Sequence, residues 1–309
     1  MDILVTGGTV FVSKYIANYF LNRGHNVTVL NRGNYQQVCG VEFIKKDRND
    51  INNIFEHRAF DVVIDITAYN QKDVSDLLDS VGYINKYILL SSSAVYSNTG
   101  SLPFYENSQV GYNSYWQGYG LGKIQAESYL MSHHSNYYII RPPYLYGPEE
   151  NLYRELFCFD CALSNRIFYL PPNYNLQLQF FHVNDLGRII ETIIYNCLDD
   201  RIINVGNYET ISIIDWVKLC YEVTGCTPKF KVVSEKYDQN KYFCFRDYEY
   251  RLDVSKQKEF IHETQSLKEG LAGTFEWYLS NKYNKTIKKK AYYKYIDEII
   301  NIDRGYIDI

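Results

Sequence analysis

The first half of the chain alternates short apolar runs with amphipathic stretches. Ile3-Leu4-Val5-Thr6, Val27-Thr28-Val29-Leu30, Asp61-Val62-Val63-Ile64-Asp65-Ile66, Tyr87-Ile88-Leu89-Leu90-Ser91 and Tyr137-Tyr138-Ile139-Ile140-Arg141 read as strands. Their near-continuous Val, Ile and Leu content is that of parallel strands buried on both faces. Glu42-Phe43-Ile44 is a shorter candidate. Helical spacing falls between them, at 11–23, 51–57, 71–81 and 115–134. Strand and helix in alternation predict an α/β fold: a Rossmann-like doubly wound parallel sheet, with a smaller mixed C-terminal region for substrate binding.

The rhythm changes near residue 150, where elements become mixed and Tyr and Phe frequent. We read 1–150 as a first domain, with parts of 177–207 returning to it, 151–280 as a second region and 281–309 as a basic C-terminal extension. In the extension Lys282, Lys285, Lys288, Lys289, Lys290 and Lys294 precede the next acid, Asp297. With 46% hydrophobic and 22% charged residues the 309-residue chain is not a disordered one. Thirty-two Lys+Arg against 36 Asp+Glu give a net charge of -4, which disfavours a nucleic-acid partner. No apolar run reaches the roughly 18–20 residues that span a bilayer. Met1-Asp2-Ile3-Leu4-Val5 lacks the basic start of a signal peptide, so the expected location is cytoplasmic. Seven cysteines, an odd count, point to free thiols. Cys158-Phe159-Asp160-Cys161 has no second pair at zinc spacing and reads as buried thiols; no metal is expected.

The first strand runs into Thr6-Gly7-Gly8-Thr9-Val10-Phe11-Val12-Ser13 and then a helix. Such a turn presents free N–H groups and the positive end of a helix dipole to a pyrophosphate. Gly7, Thr9, Val10, Phe11 and Val12 are the candidate cradle for a dinucleotide. The second strand ends at Asn31-Arg32 without an acid. An acid there bonds the ribose of NAD and an Arg accepts the extra phosphate of NADP, so the cofactor is NADP or NAD, with NADP preferred.

Tyr119 and Lys123 lie four residues apart in a helical stretch, so their side chains share one face. A free Tyr, with a pKa near ~10, is a poor base at neutral pH; a neighbouring ammonium stabilises the phenolate. Tyr119 then exchanges a proton with a substrate oxygen while hydride passes between the adjoining carbon and a nicotinamide.

These motifs resemble the extended short-chain dehydrogenase/reductases, in the NAD-dependent epimerase/dehydratase family. Its fingerprint is T-G-x-x-G-x-x-G; Gly7 matches the first glycine, while Val10 and Ser13 replace the second and third, as in a divergent subgroup that keeps T-G-G-T-x-F. Ser91-Ser92-Ser93-Ala94-Val95-Tyr96 resembles S-S-x-x-V-Y-G, and Tyr119 to Lys123 fits Y-x-x-x-K. Arg141-Pro142-Pro143-Tyr144-Leu145-Tyr146-Gly147-Pro148, Phe180-Phe181-His182-Val183-Asn184-Asp185-Leu186 and Ile203-Asn204-Val205-Gly206-Asn207 follow the family's later motifs, so the likeness covers residues 1 to about 280. The resemblance implies that Ser92 positions a substrate oxygen, Tyr119 transfers the proton and Lys123 holds the nicotinamide ribose. It adds Asp47, Arg48, Ile66, Thr67, Ala68, Ser91, Pro142 and Tyr144 to the cofactor contacts. Substrate candidates are Tyr69, Ser93, Arg154, Gln179 and Arg246. His182 is read as structural.

The family's 4,6-dehydratases carry Asp-Glu where this chain has Ser93-Ala94, which disfavours dehydration. Epimerase and carbonyl-reductase chemistry stay open. Family enzymes grip a diphosphate with an Arg at the position of Leu178; a nucleotide-sugar is still the first expectation. The resemblance also implies a homodimer. The alternatives are a non-catalytic NADP-binding sensor and an RNA-associated relative of the family, the latter supported by the Lys-rich extension alone.

Overall fold

The computed structural model describes residues 1–196 and 198–308. They divide into two compact units: 1–145 with 180–208 and 251–264, and 146–179 with 209–250 and 265–309.

The first unit is built on a seven-stranded sheet. Its strands are β1 (Asp2–Thr6), β2 (Asn26–Asn31), β3 (Glu42–Lys45), β4 (Phe55–Asp65), β5 (Val81–Leu90), β6 (Tyr137–Arg141) and, at one edge, Ile202–Asn204. Spatial order runs from Ile202–Asn204 through β6, β5, β4, β1 and β2 to β3, every neighbouring pair parallel. All carboxyl ends therefore share one rim, with strand order reversing beside β1, where α/β sheets bind ligands.

Side-chain alternation sorts the apolar runs onto two cores. Ile3, Val5, Val29, Ile64, Ile88 and Ile140 pack on one face with helix α1 (Phe11–Leu21) and helix Val183–Tyr195. Leu4, Leu30, Val63, Leu89 and Ile139 pack on the other with helices α2 (Gln71–Ser80) and α3 (Gln117–His133). Each fully buried Leu, Ile or Val contributes about 1.5–3 kcal/mol. Asn70 and Asp73 start α2 with a reciprocal capping box. Lys86, buried in β5, donates at 2.9 Å to the Ile194 carbonyl and so closes the end of helix Val183–Tyr195.

One expected helix is absent. Residues 51–57 form a turn, with Asn53 at φ 53°, and then the start of β4. Ile51, Ile54 and Phe55 have helical spacing by coincidence. Phe55 is buried against Phe60, ring centroids 5.5 Å apart, and β4 extends beside β5 with a register shift between Phe55 and Ala59.

The second unit centres on Phe230–Val233, which pairs parallel with Phe168–Leu170 and antiparallel with Tyr306–Asp308. Residues expected as a basic extension thus end in a strand of this unit. Asp160, in the mostly buried helix Glu155–Leu163, accepts 2.6 Å bonds from the Tyr153 and Tyr278 hydroxyls and a 3.0 Å bond from Lys289. The first unit, expected as 1–150 with parts of 177–207, comprises 1–145, 180–208 and 251–264; 251–264 was expected in the second region, and 281–309 is part of the second unit instead of a separate extension. Cys158 and Cys161 are buried free thiols; Cys197 lies outside the described residues.

Candidate active site

Two glycines shape the turn after β1. Gly7 and Gly8 hold φ of 94° and 90°, where a side chain strains the backbone. An added Cβ would lie 2.7 Å from Ser13 Oγ at Gly7 and 2.6 Å from a Val29 methyl at Gly8. Val10 precedes α1 in extended conformation, φ -139°, which any residue adopts. The glycine requirement therefore sits at Gly7 and Gly8 rather than at Val10. Gly8 is the residue the sequence reading passed over; the doubled glycine was its signal. No side chain caps the N-terminus of α1. Its first N–H groups remain donors, so the turn fits a pyrophosphate. Thr9, Phe11 and Val12 complete this turn, Phe11 at a positive φ of 42°.

Beyond the turn, several candidate cofactor contacts are engaged within the protein. Asn31 donates at 2.7 Å to the Gly7 carbonyl and accepts from Gly33 N–H at 2.9 Å, tying the ends of β1 and β2 together. Arg32 is exposed. Asp47 accepts from Asn49 N–H, which together with the charges of Arg32 and Arg48 holds its carboxyl below the usual range. Arg48 is bonded within the protein. Its guanidinium bonds Asp65 at 2.9 and 3.1 Å, Thr67 Oγ1 at 2.8 Å and the Asp73 carbonyl at 2.6 Å. The physical reason is Asp65: it is fully buried, and an unpaired carboxylate there is prohibitive. Burial alone would raise its pKa; Arg48, Tyr87 and Thr6 bring the net value down. Thr6 Oγ1 also accepts from the N–H groups of Ile66 and Thr67, fixing the end of β4 beside that of β1. Ala68 is buried and offers its carbonyl to Lys123.

Helix α3 brings in the Tyr and Lys. Its Gly120 and Gly122 let it lie directly on two loops: a Cβ would come within 2.3 Å of the Ala94 and Tyr69 carbonyls respectively. The spacing Tyr119-Gly120-Leu121-Gly122-Lys123 therefore seats the helix against the ends of β4 and β5. Ser92 caps a short 3-10 turn by accepting from Ala94 N–H at 3.2 Å.

Burial pushes the Tyr119 phenol up to about 12, and a hydrogen bond with Ser92 pulls it back only in part. Two-fifths of Tyr119 is exposed. Tyr69 tilts against it at 6.3 Å between centroids. Lys123 is buried, and its ammonium donates to the Ala68 and Leu90 carbonyls at 2.6 and 2.7 Å. Burial lowers its pKa to about 8, opposed by Asp65 and Glu127. Its Nζ stands 5.9 Å from the Tyr119 ring centroid. Tyr119 and Lys123 do converge on one face, but the ammonium bonds strand-end carbonyls instead of the phenol, and the Tyr119 pKa is not lowered by it. A buried ammonium needs acceptors, and these carbonyls supply them.

Of the flanking residues, Ser91 donates to Glu127, which holds Arg141 in a buried pair. The Pro142 carbonyl accepts from Ser93 N–H at 2.9 Å, and Ser93 is buried. Tyr144 packs edge-on to Trp116. Arg154, Gln179 and Arg246 belong to the second unit. There Arg154 is buried and pairs with Glu150, and Gln179 is buried. His182 starts a helix by accepting from Asn184 N–H, with burial lowering its pKa to about 4.

The chain is 28% identical over 284 residues to the chloroplast stem-loop binding protein of 41 kDa b of Arabidopsis thaliana, covering 84% of this chain and 74% of that one. Its fold is similar to UDP-glucose 4-epimerase with UDP-glucose from Thermotoga maritima, with a TM-score of 0.76, 20% identity, and coverage of 91% and 100%. It is also similar to dTDP-glucose 4,6-dehydratase from Bacillus anthracis in complex with NAD, with a TM-score of 0.75, 20% identity, and coverage of 93% and 100%. Residues 3–85 and 70–206 match the model of one family, and between them they hold the glycine turn, Ser92, Tyr119 and Lys123; this chain belongs to the NAD dependent epimerase/dehydratase family.

Proposed function

We propose that the chain is an NAD(P)-dependent epimerase or oxidoreductase acting on a hydroxyl or keto group of a sugar, a nucleotide-sugar by first expectation. The observation that carries this reading is that Tyr119 and Lys123 share one face of α3 at the carboxyl rim of the sheet, Lys123 buried with its Nζ 5.9 Å from the Tyr119 ring centroid. Ser92 orients the substrate oxygen. Tyr119, protonated at neutral pH, delivers a proton to that oxygen when a ketone is reduced and recovers it in the reverse direction. A nicotinamide, when bound, supplies or accepts the hydride. Lys123 keeps a positive charge under the phenol and has one N–H, beyond those given to the Ala68 and Leu90 carbonyls, for a ribose hydroxyl. The uncapped start of α1 holds the pyrophosphate, and exposed Arg32 favours the phosphate of NADP. The NAD complex of the similar dehydratase supports NAD(H) as a cofactor. The match to a protein named for stem-loop binding favours RNA association as a second reading. A non-catalytic NADP sensor is the remaining alternative, and any turnover removes it.

Native mass spectrometry of the purified chain separates these. Retained NAD supports an epimerase; an empty site that takes up NADPH supports a reductase. Failure to bind either dinucleotide removes both. RNA association predicts binding that weakens steeply with salt; no RNA retention at low salt removes it.

A further inference from the structure

Lys123 is a buried cation whose acidic neighbours already have cations of their own. The charged groups that act on it are Asp65 at the end of β4, Arg48, Asp73 in α2 and Glu127 on its own helix. Asp65 takes two Arg48 nitrogens at 2.9 and 3.1 Å, and Asp73 lies 3.3 Å from Arg48 Nε. Glu127 takes two Arg141 nitrogens at 3.0 and 2.6 Å. Each carboxylate therefore has a guanidinium, and the Lys123 ammonium is left to neutral partners.

Two of its three N–H groups go to the Ala68 and Leu90 carbonyls. Beyond these it meets two aromatic rings. The Tyr69 centroid lies 5.4 Å from Nζ and the Tyr119 centroid 5.9 Å. Both fall within the roughly 6 Å at which the electron-rich face of a ring attracts a cation. Desolvation strengthens that attraction, and Nζ belongs to a buried side chain.

Tyr69 is the nearer ring, and its backbone is held from two sides. Its N–H donates to Asp73 Oδ2 at 2.7 Å. Its carbonyl sits where a Cβ on Gly122 would come within 2.3 Å, so α3 rests directly on it. The residue that follows, Asn70, is fixed by the capping box of α2. Tyr69 thus keeps its place beside Lys123 although more than half of it is exposed. The sequence makes Tyr69 a substrate candidate; this placement gives it a second task.

We propose that Tyr69 is a positioning residue for the Tyr119–Lys123 pair, its ring holding the Lys123 ammonium charged and in place at the carboxyl rim. The proposal rests on the reading of that pair as the proton-transfer site. Burial brings the Lys123 pKa down to about 8, so a further fall would discharge it at neutral pH. A cation–π contact favours the charged form and opposes that fall.

The test reads Lys123 in the full chain, free of dinucleotide and without turnover. Carbon-13 NMR of lysine labelled at Cε follows its titration, and Lys123→Met identifies its signal. Tyr69→Leu removes the ring and lowers the Lys123 pKa by about half a unit to one unit; Tyr69→Phe keeps the ring and the parent value. Tyr69→Met serves if Tyr69→Leu does not fold. Where turnover is found, the alkaline limb of the kcat profile moves down by the same amount in the Leu variant and stays in the Phe variant. The proposal is overturned if Lys123 in Tyr69→Leu titrates at or above the parent value. It is equally overturned if Tyr69→Phe lowers the value as much as Tyr69→Leu, since the ring then contributes nothing to the charge. A chain that titrates as expected but binds neither NAD nor NADPH supports the contact and removes the proposed function instead.

Discussion

The two units handle buried charge differently. In the first, charged groups gather at the carboxyl ends of parallel strands: Asp65 ends β4 and meets Arg48, and Arg141 ends β6 and meets Glu127. In the second, Asp160 sits within a helix and collects two phenols and Lys289. The first arrangement leaves a rim of oriented polar groups around Tyr119 and Lys123. The second fastens the chain's last segment. Buried charge thus surrounds the proposed site in one unit and fastens a terminal segment in the other, although both networks satisfy the same demand for partners.

Arg48→Met should break this contrast most severely. It leaves Asp65 and Asp73 without their cation and is expected to cost about 3–5 kcal/mol of stability, as for other broken buried pairs. Chemical denaturation checks it, and dinucleotide binding should fall with the fold. Gly8→Val comes next. Strain at positive φ costs about 1–3 kcal/mol, and the displaced turn should lose dinucleotide affinity even where the protein stays folded; calorimetry separates the two effects.

Asp160→Asn sharpens the other side. Charge-assisted bonds are worth about 1.5–3 kcal/mol each, so the second unit should loosen, with faster hydrogen exchange at 281–308 and unchanged dinucleotide affinity.

The smallest effects lie in pH. Burial alone would raise the Asp65 and Asp160 pKa values, but their partners bring both below the ordinary value. Their stabilisation is present above the unfolded carboxylate pKa near ~3.9 and is lost as pH falls through the lower folded values. Lys123 behaves oppositely. Its pKa drops from 10.5 to about 8, so the cost of burying its charge is present below that value and is relieved as pH rises toward 10.5. Lys123→Met should therefore gain more stability, relative to the parent, at pH 7 than at pH 10, by thermal or denaturant melts.

The sheet of the first unit was legible because β1, β2 and β4 to β6 are apolar runs longer than any turn allows. Residues 51–57 were misread because Ile51, Ile54 and Phe55 satisfy a helical period and a strand start equally well, and only pairing with β5 decides. Tyr119 and Lys123 were legible from spacing. The partners that Lys123 selects were not, because Ala68 and Leu90 contribute backbone carbonyls, which no side-chain pattern reveals. The partners of Arg48 were hidden for a similar reason: nothing local showed that Asp65, on another strand end, would be buried against it. In the second unit the frequent Tyr and Phe gave no assignment; the structure buries Tyr153, Tyr278 and Tyr292.

The account rests on the Tyr119 hydroxyl as the proton-transfer group. The direct measurement is turnover of a panel of nucleotide-sugars with NADPH or NAD by the parent chain and by Tyr119→Phe, at matched stability and matched dinucleotide affinity. The account predicts roughly a 10²- to 10⁴-fold fall in kcat for the variant, the usual span of general acid–base catalysis. Equal rates in the two proteins would contradict it.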